Sequence, residues 1–148
     1  NVMQQILINN ADAGGEGSSG GFIFPEFTMC RDGILTSGFV ASMLDEKEFQ
    51  DAVDIFDKYF QIRTKISIPI LYHDKTIERL QEKLHVKYET DLLDGVKIKI
   101  NDDSWALIRK SNTEDIIRLS LESNDMNIIK EKHSEITNLV NESYEEIK

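Results

Sequence analysis

Ten residues in the C-terminal half, from Arg109-Lys110-Ser111-Asn112-Thr113-Glu114-Asp115 to Arg118, gather three cations, two hydroxyls and a side-chain amide. A phosphate dianion calls for this inventory: arginine offers charge-assisted, bidentate donors, and a tight turn adds a nest of backbone N–H groups. The same residues also fit a polar hairpin turn in which Ser111, Asn112 and Thr113 satisfy the backbone while the charges lie in solvent. Spacing alone leaves both readings open. A second cluster stands near the N-terminus, where residues 11–21 hold five of the eight glycines and, among them, Glu16, Ser18 and Ser19. A carboxylate accepts two hydrogen bonds from vicinal sugar hydroxyls, and glycine lets a ligand approach the backbone closely. A plain surface loop is the competing reading.

Other reactive side chains point to structural duty. His133 lies on an apolar helix stripe, His85 opens a strand, and His73 precedes a helix with no visible partner. Cys30 is the only cysteine and has no paired histidine in a recognisable setting, so a nucleophile, a disulfide and a multi-cysteine metal site are all set aside. Asp51, Asp54 and Asp57 form a solvated helix face, Asp102-Asp103 a turn, and Trp105 is assigned to core packing.

Composition narrows the classes further. The chain has 148 residues, a net charge of −10 and a pI near 4.7, which opposes non-specific binding to nucleic acid or anionic lipid. Lys97 and Lys99 on a sheet face do not offset this, so neither nucleic acid nor membrane is expected as a partner. No run approaches the roughly 18 apolar residues of a membrane-spanning helix, and no secretory pattern opens the chain. With its single cysteine, the expected location is the cytoplasm. The chain opens on Asn1, and its first apolar run enters the glycine-rich loop with nothing before it to pack against, so the middle of a longer protein is expected.

These side chains need elements to hold them. Phe22-Ile23-Phe24-Pro25 reads as a short strand behind the glycine-rich loop, and Asp32 is placed to cap a helix running to about Leu44. A second helix from about Glu46 places Phe49, Ala52, Val53, Phe56 and Phe60 on one stripe that needs a covering surface. From residue 62 the pattern predicts a strand ending near Pro69, a helix over 74–84, an alternating strand over 96–100, and a hairpin of strands 105–110 and 116–122. A long final helix from about Asn124 carries Ile129, Ile136, Val140, Tyr144 and Ile147 on one face. The fold class expected is α+β: a two-layer antiparallel sheet with covering helices at 62–148, preceded at 1–61 by the helical end of an α/β domain.

Two segments carry a resemblance. Gly14-Gly15-Glu16-Gly17-Ser18-Ser19-Gly20-Gly21-Phe22-Ile23-Phe24-Pro25, then Arg31-Asp32-Gly33-Ile34, resembles the sugar-recognition loop of the alpha-D-phosphohexomutase family, Gly-Gly-Glu-x-(Ser/Asn)-Gly-(His/Gly) followed by an apolar strand and an Asp-Gly helix start. Asp94-Gly95-Val96-Lys97, Asp102-Asp103-Ser104-Trp105, and the Arg109 to Asp115 run with Arg118 resemble the same family's C-terminal domain, whose pattern is Asp-Gly-Val-Lys, a Ser-Trp turn, then Arg-Pro-Ser-Gly-Thr-Glu-Pro and a further Arg. The closing Gly-Gly is more similar to archaeal-type members than to the bacterial mutases. The resemblance covers the end of the family's third domain (1–61) and all of its fourth (62–148).

The resemblance implies part of an enzyme that interconverts hexose 1-phosphate and hexose 6-phosphate through a hexose bisphosphate, as phosphomannomutases, phosphoglucomutases and phosphoglucosamine mutases do. On the matching positions, Arg109, Ser111, Asn112, Thr113 and Arg118 would hold the substrate phosphate that does not react, and Glu16 with Ser18 or Ser19 would read sugar hydroxyls. The family's phosphoserine loop and Mg2+ loop belong to N-terminal domains of the same protein, and neither motif occurs in this chain. No catalytic and no metal residue is therefore expected here, and the chain alone is expected to be inactive. Departures stand out: Lys110 replaces a proline and Asn112 the turn glycine, Asp115 replaces the second proline and brings a negative charge near the expected phosphate, and the double serine Ser18-Ser19 adds one residue to the commoner sugar loop, leaving open which of the two points inward. The alternative from another class is a stand-alone, non-catalytic phosphosugar- or partner-binding module.

Overall fold

The computed structural model describes residues 2–15 and 21–148. They divide into two compact units, Asn1–Asp54 and Ile55–Lys148.

In the first unit, helix α1 (Val2–Asn9) precedes the glycine-rich segment, and strands β1 (Phe22–Phe24) and β2 (Thr28–Asp32) form an antiparallel pair. Gly14 and Ile23 exchange both backbone hydrogen bonds (3.0 and 2.7 Å), and Ile6 and Ile23 are buried. Space here is tight, because a Cβ on Gly14 would lie 2.7 Å from Ile6 Cδ1. Helix α2 (Gly33–Met43) begins where expected: Asp32 Oδ1 accepts from the amides of Ile34 (3.0 Å) and Leu35 (2.9 Å), satisfying orphan donors of the first turn. Phe39 of α2 stacks on Phe24 with ring centroids 4.6 Å apart. Helix α3 (Lys47–Phe56) follows, and no residue of α2 or α3 is buried.

The second unit is an antiparallel sheet with helices on one face. Strand β3 (Phe60–Ser67) leads through a 3-10 turn (Ile70–Tyr72) into helix α4 (His73–His85); strands β4 (Glu89–Asp91), β5 (Val96–Asn101), β6 (Ser104–Lys110) and β7 (Ile116–Ser123) follow, and helix α5 (Met126–Glu145) closes the chain. The five strands lie in the order β3-β7-β6-β5-β4, each pair antiparallel. Period-two alternation sorts the side chains. Val96, Ile98, Ala106, Ile108, Ile117, Leu119 and Leu121 turn to one side, where Leu80 and Leu84 of α4 and Ile129, Ile136 and Val140 of α5 bury them. The first strand of this unit ends at Ser67 rather than near Pro69; the Ile68 amide still donates in register to the Asp115 carbonyl (3.0 Å), and Pro69 has no N–H to carry the ladder further.

Several expectations change in the folded chain. Trp105 lies half-buried on the face away from the core, its Nε1 donating to Glu122 Oε1 (3.1 Å) and the Lys97 ammonium 5.0 Å from its ring centroid. The alternation already separates it from Ala106 and Ile108, and its indole N–H needs a polar partner. His85 closes α4 instead of opening a strand, with Nδ1 2.9 Å from Thr90 Oγ1. His133 does face inward, 2.7 Å from Thr64 Oγ1. Among the described residues, no helix is long and apolar enough to cross a membrane.

Candidate functional site

Arg109 and Arg118 are direct cross-strand neighbours on β6 and β7, on the sheet face away from the helices. The same register continues one strand further: Arg118 faces Lys65 of β3. Three cations thus stand in one row across adjacent strands, at about 4.8 Å per strand. Like charges directly opposite repel, so each is met by a carboxylate. Arg109 donates from Nη1 to Asp94 (3.0 Å), and Glu114 takes both Arg118 Nη2 (2.6 Å) and Lys65 Nζ (3.3 Å). These two cations hold the Glu114 carboxyl below the usual carboxylate range, chiefly through the hydrogen bond from Arg118. Arg118 Nε is enclosed with no acceptor among the described residues.

The turn joining β6 and β7 carries the remaining residues of the cluster. Ser111 is buried, and its Oγ accepts from the amides of Thr113 (3.4 Å) and Glu114 (3.2 Å), so the hydroxyl shapes the turn. Its backbone amide donates to the Ile116 carbonyl (3.0 Å), closing the hairpin. Asn112 and Thr113 are exposed, and their side chains make no hydrogen bond among the described residues. Lys110 points to the helix side and pairs with Asp74 at the start of α4; this ion pair, mainly its hydrogen bond, holds Asp74 below its ordinary range. A cleft of about 370 Å³ opens here, its lining including Arg109, Lys110, Asn112, Asp74, Glu78 and Asp94.

Asp115 is turned away from this cleft's cations: Oδ1 accepts from the Ile70 amide (2.8 Å) and ties the turn to the segment before α4. The carboxylate that stands where the family has a proline thus serves as an anchor. His73 gains partners that sequence reading lacked. Buried at 2% exposure, its Nδ1 lies 3.2 Å from the Ser111 carbonyl oxygen and its Nε2 2.8 Å from that of Ile68. Gly95 has φ +96° and passes so close to β6 that a Cβ would strike the Ile108 carbonyl oxygen and lie 2.9 Å from Arg109 Cβ.

The second unit therefore assembles Arg109, Ser111, Asn112, Thr113 and Arg118 at one end of one hairpin. Glu16, Ser18 and Ser19 lie outside the described residues. Lys65 was missed by the sequence reading, although alternation along β3 sets Arg63 and Lys65 on the same face. Among the described residues, no group of three or more His, Cys, Asp or Glu could hold a metal ion.

The fold is an α+β domain with a row of three cations across adjacent strands beside the β6–β7 turn. A family model described as phosphoglucomutase/phosphomannomutase, alpha/beta/alpha domain III, matches residues 1–61. A probable phosphoglucosamine mutase of Methanobrevibacter smithii is 36% identical over 130 residues, 84% of this chain and 29% of that protein. A phosphoglucomutase/phosphomannomutase of Thermococcus kodakarensis is 37% identical over 127 residues, and a phosphoglucosamine/phosphogalactosamine mutase of Sulfurisphaera tokodaii is 34% identical over 149, covering 27% and 30% of those proteins. In three dimensions, a phosphoglucomutase/phosphomannomutase family protein of Burkholderia thailandensis matches 96% of this chain and 30% of its own at a TM-score of 0.73 and 17% identity, a likeness of fold. The chain belongs to the alpha-D-phosphohexomutase family and corresponds to its C-terminal portion. It spans less than a third of the length of the curated relatives it matches.

Proposed function

We propose that this chain is the substrate-gripping part of a phosphohexomutase, which interconverts hexose 1-phosphate and hexose 6-phosphate through a hexose bisphosphate. Residues 62–148 form the phosphate-binding domain, and residues 1–61 form the end of the sugar-recognition domain. Arg109 and Arg118, with the turn Ser111–Asn112–Thr113, hold the phosphate that does not react, and Lys65 adds charge to the same row. Glu16 with Ser18 or Ser19 reads the sugar hydroxyls. Domains of the same protein outside this chain supply the phosphoserine and the Mg2+ site, so the chain alone transfers nothing. A cytoplasmic location fits the lone Cys30.

One observation carries this reading: two arginines face each other across β6 and β7 beside a turn whose exposed Asn112 and Thr113 are unengaged among the described residues. Apposed like charges cost stability unless something anionic repays them, and here the resident anions, Asp94 and Glu114, are exposed carboxylates that a dianion can displace. Such a site reads a phosphate and its near surroundings without acid or base chemistry. It can therefore accept the sugar in either orientation, which a mutase requires.

The test is binding by the 148-residue chain. Inorganic phosphate and then glucose 1-phosphate are titrated while the backbone amides of 109–118 are followed by nuclear magnetic resonance. Saturable shifts centred on Ser111 to Thr113 support the reading; shifts that are absent, or centred elsewhere, overturn it.

A further inference from the structure

His73 lies outside every motif of the family resemblance, yet it is the most enclosed ionisable side chain beside the turn. Its ring spans two backbone carbonyls, Ser111 O at 3.2 Å and Ile68 O at 2.8 Å, at 2% exposure. Ser111 is the residue whose Oγ gathers the amides of Thr113 and Glu114. A ring fixed at Ile68 therefore holds the residue that shapes the turn. The surrounding links run in parallel: Ile68 N to Asp115 O, Ile70 N to Asp115 Oδ1, and Lys110 to Asp74 all tie the 68–74 segment to the 110–115 turn. Among these, the His73 contact is buried and reaches the turn at Ser111 itself.

We propose that His73 is a positioning residue for the phosphate turn. Both facing atoms are carbonyl oxygens, so each contact holds only where the ring nitrogen bears a hydrogen: Nδ1–H donated to the Ser111 carbonyl fixes the orientation of the Ser111, Asn112 and Thr113 groups that meet the ligand, and Nε2–H donated to the Ile68 carbonyl seats the ring. The proposal rests on the phosphate-binding reading above. A donor on one side of the imidazole serves the site, while a donor on the other serves only the scaffold, so the two contacts are separable.

Two substitutions separate them. The side-chain nitrogen of asparagine reaches about as far as histidine Nδ1, and that of glutamine about as far as Nε2. His73→Asn keeps the donor toward Ser111, and His73→Gln keeps the one toward Ile68. With inorganic phosphate as the probe, His73→Asn is expected to bind within about twofold of the unsubstituted chain, and His73→Gln about tenfold more weakly, the scale of one hydrogen bond. Unfolding temperatures are expected to fall alike in both. Equal losses of phosphate affinity in the two variants, or full affinity in His73→Gln, overturn the proposal. Should either fail to fold, the ring nitrogens of the unsubstituted chain decide: saturating phosphate is expected to move the His73 Nδ1 resonance and leave His85 and His133 unmoved, and an unmoved His73 overturns it. No phosphate response anywhere in the unsubstituted chain overturns the binding reading as well, whereas a turn that responds while His73 stays indifferent overturns this inference alone.

Discussion

Arg109 and Arg118 stand directly opposite each other on β6 and β7, each held by its own carboxylate, Asp94 at 3.0 Å and Glu114 at 2.6 Å. Two guanidinium groups in register form a poor pair for stability and a good one for a dianion, since a phosphate offers both of them bidentate acceptors. In the structure each guanidinium group is thus paired with a partly exposed carboxylate.

Arg109→Ala removes one jaw of this pair. Phosphate and hexose phosphate binding are expected to weaken by about 1.5 to 3 kcal/mol, the range for a hydrogen bond to a charged group. Isothermal titration calorimetry on the 148-residue chain measures it, and an unchanged affinity defeats the assignment.

Lys65 is expected to contribute through charge rather than through contact geometry. Lys65→Met should lower phosphate affinity by about two- to fivefold at low ionic strength and by less in about 0.5 M salt, because exposed charges are screened. The same loss at both salt concentrations contradicts that role.

Glu16 separates sugar reading from phosphate reading. Glu16→Gln is expected to weaken glucose 1-phosphate by about five- to tenfold while leaving inorganic phosphate unchanged, since the role proposed for it is toward the sugar hydroxyls and not the phosphate. Paired Ser18→Ala and Ser19→Ala variants identify the serine that joins it: one of them should reproduce the sugar-specific loss.

Gly95 permits β5 to lie against Arg109. Gly95→Ala forces a Cβ into the Ile108 carbonyl at a φ of +96°, and is expected to cost more than about 1 kcal/mol of stability. Chemical denaturation checks the loss. Weakened phosphate binding in the folded fraction should accompany it, because Arg109 is the neighbour that must move.

Acid stability is expected to depend on carboxylates paired in the native state. Glu135 lies below its ordinary value of 4.5, first through the hydrogen bond from Lys132, and Glu146 is lowered by Lys83 and Arg79. A carboxyl depressed by folding adds stability above about pH 4.5, and that gain is lost as the pH falls through the depressed value. Lys132, raised mainly by Glu135, adds stability that persists until the pH rises above its ordinary 10.5. Thermal unfolding followed from pH 7 to pH 3 should show the decline, and Glu135→Gln should make it shallower. A parallel curve in that variant contradicts the assignment.

Much of the second unit was legible in the chain. Val96-Lys97-Ile98-Lys99 and Trp105 to Lys110 alternate as strands that are buried on one side, and the structure pairs them in one sheet. Asp32 announced its helix because N-capping is a local exchange between one side chain and the amides two and three residues on, here Ile34 and Leu35. Strand β2 was not foreseen, and the strand expected to open at His85 starts only at Glu89: Thr28–Asp32 and Glu89–Asp91 are short, and pairing rather than propensity makes them strands. Trp105 was misassigned to the core because its type was weighed above its place in the alternation.

What the sequence determined by itself is local. It set the period that sorts Ile108 from Arg109, the cap at Asp32, and the Ser111 hydroxyl that bonds the amides of its own turn. Tertiary structure decided which distant residues share that turn. It brought Lys65 level with Arg118, turned the Asp115 carboxylate to Ile70, and set His73 against the carbonyl of Ser111, 38 residues away. Alternation tells which face a side chain takes, but the register of β3 on β7 and the seat of α4 on the sheet follow from burying Ile66, Leu80 and Ile117 together. That collective packing exists only once the chain has closed on itself.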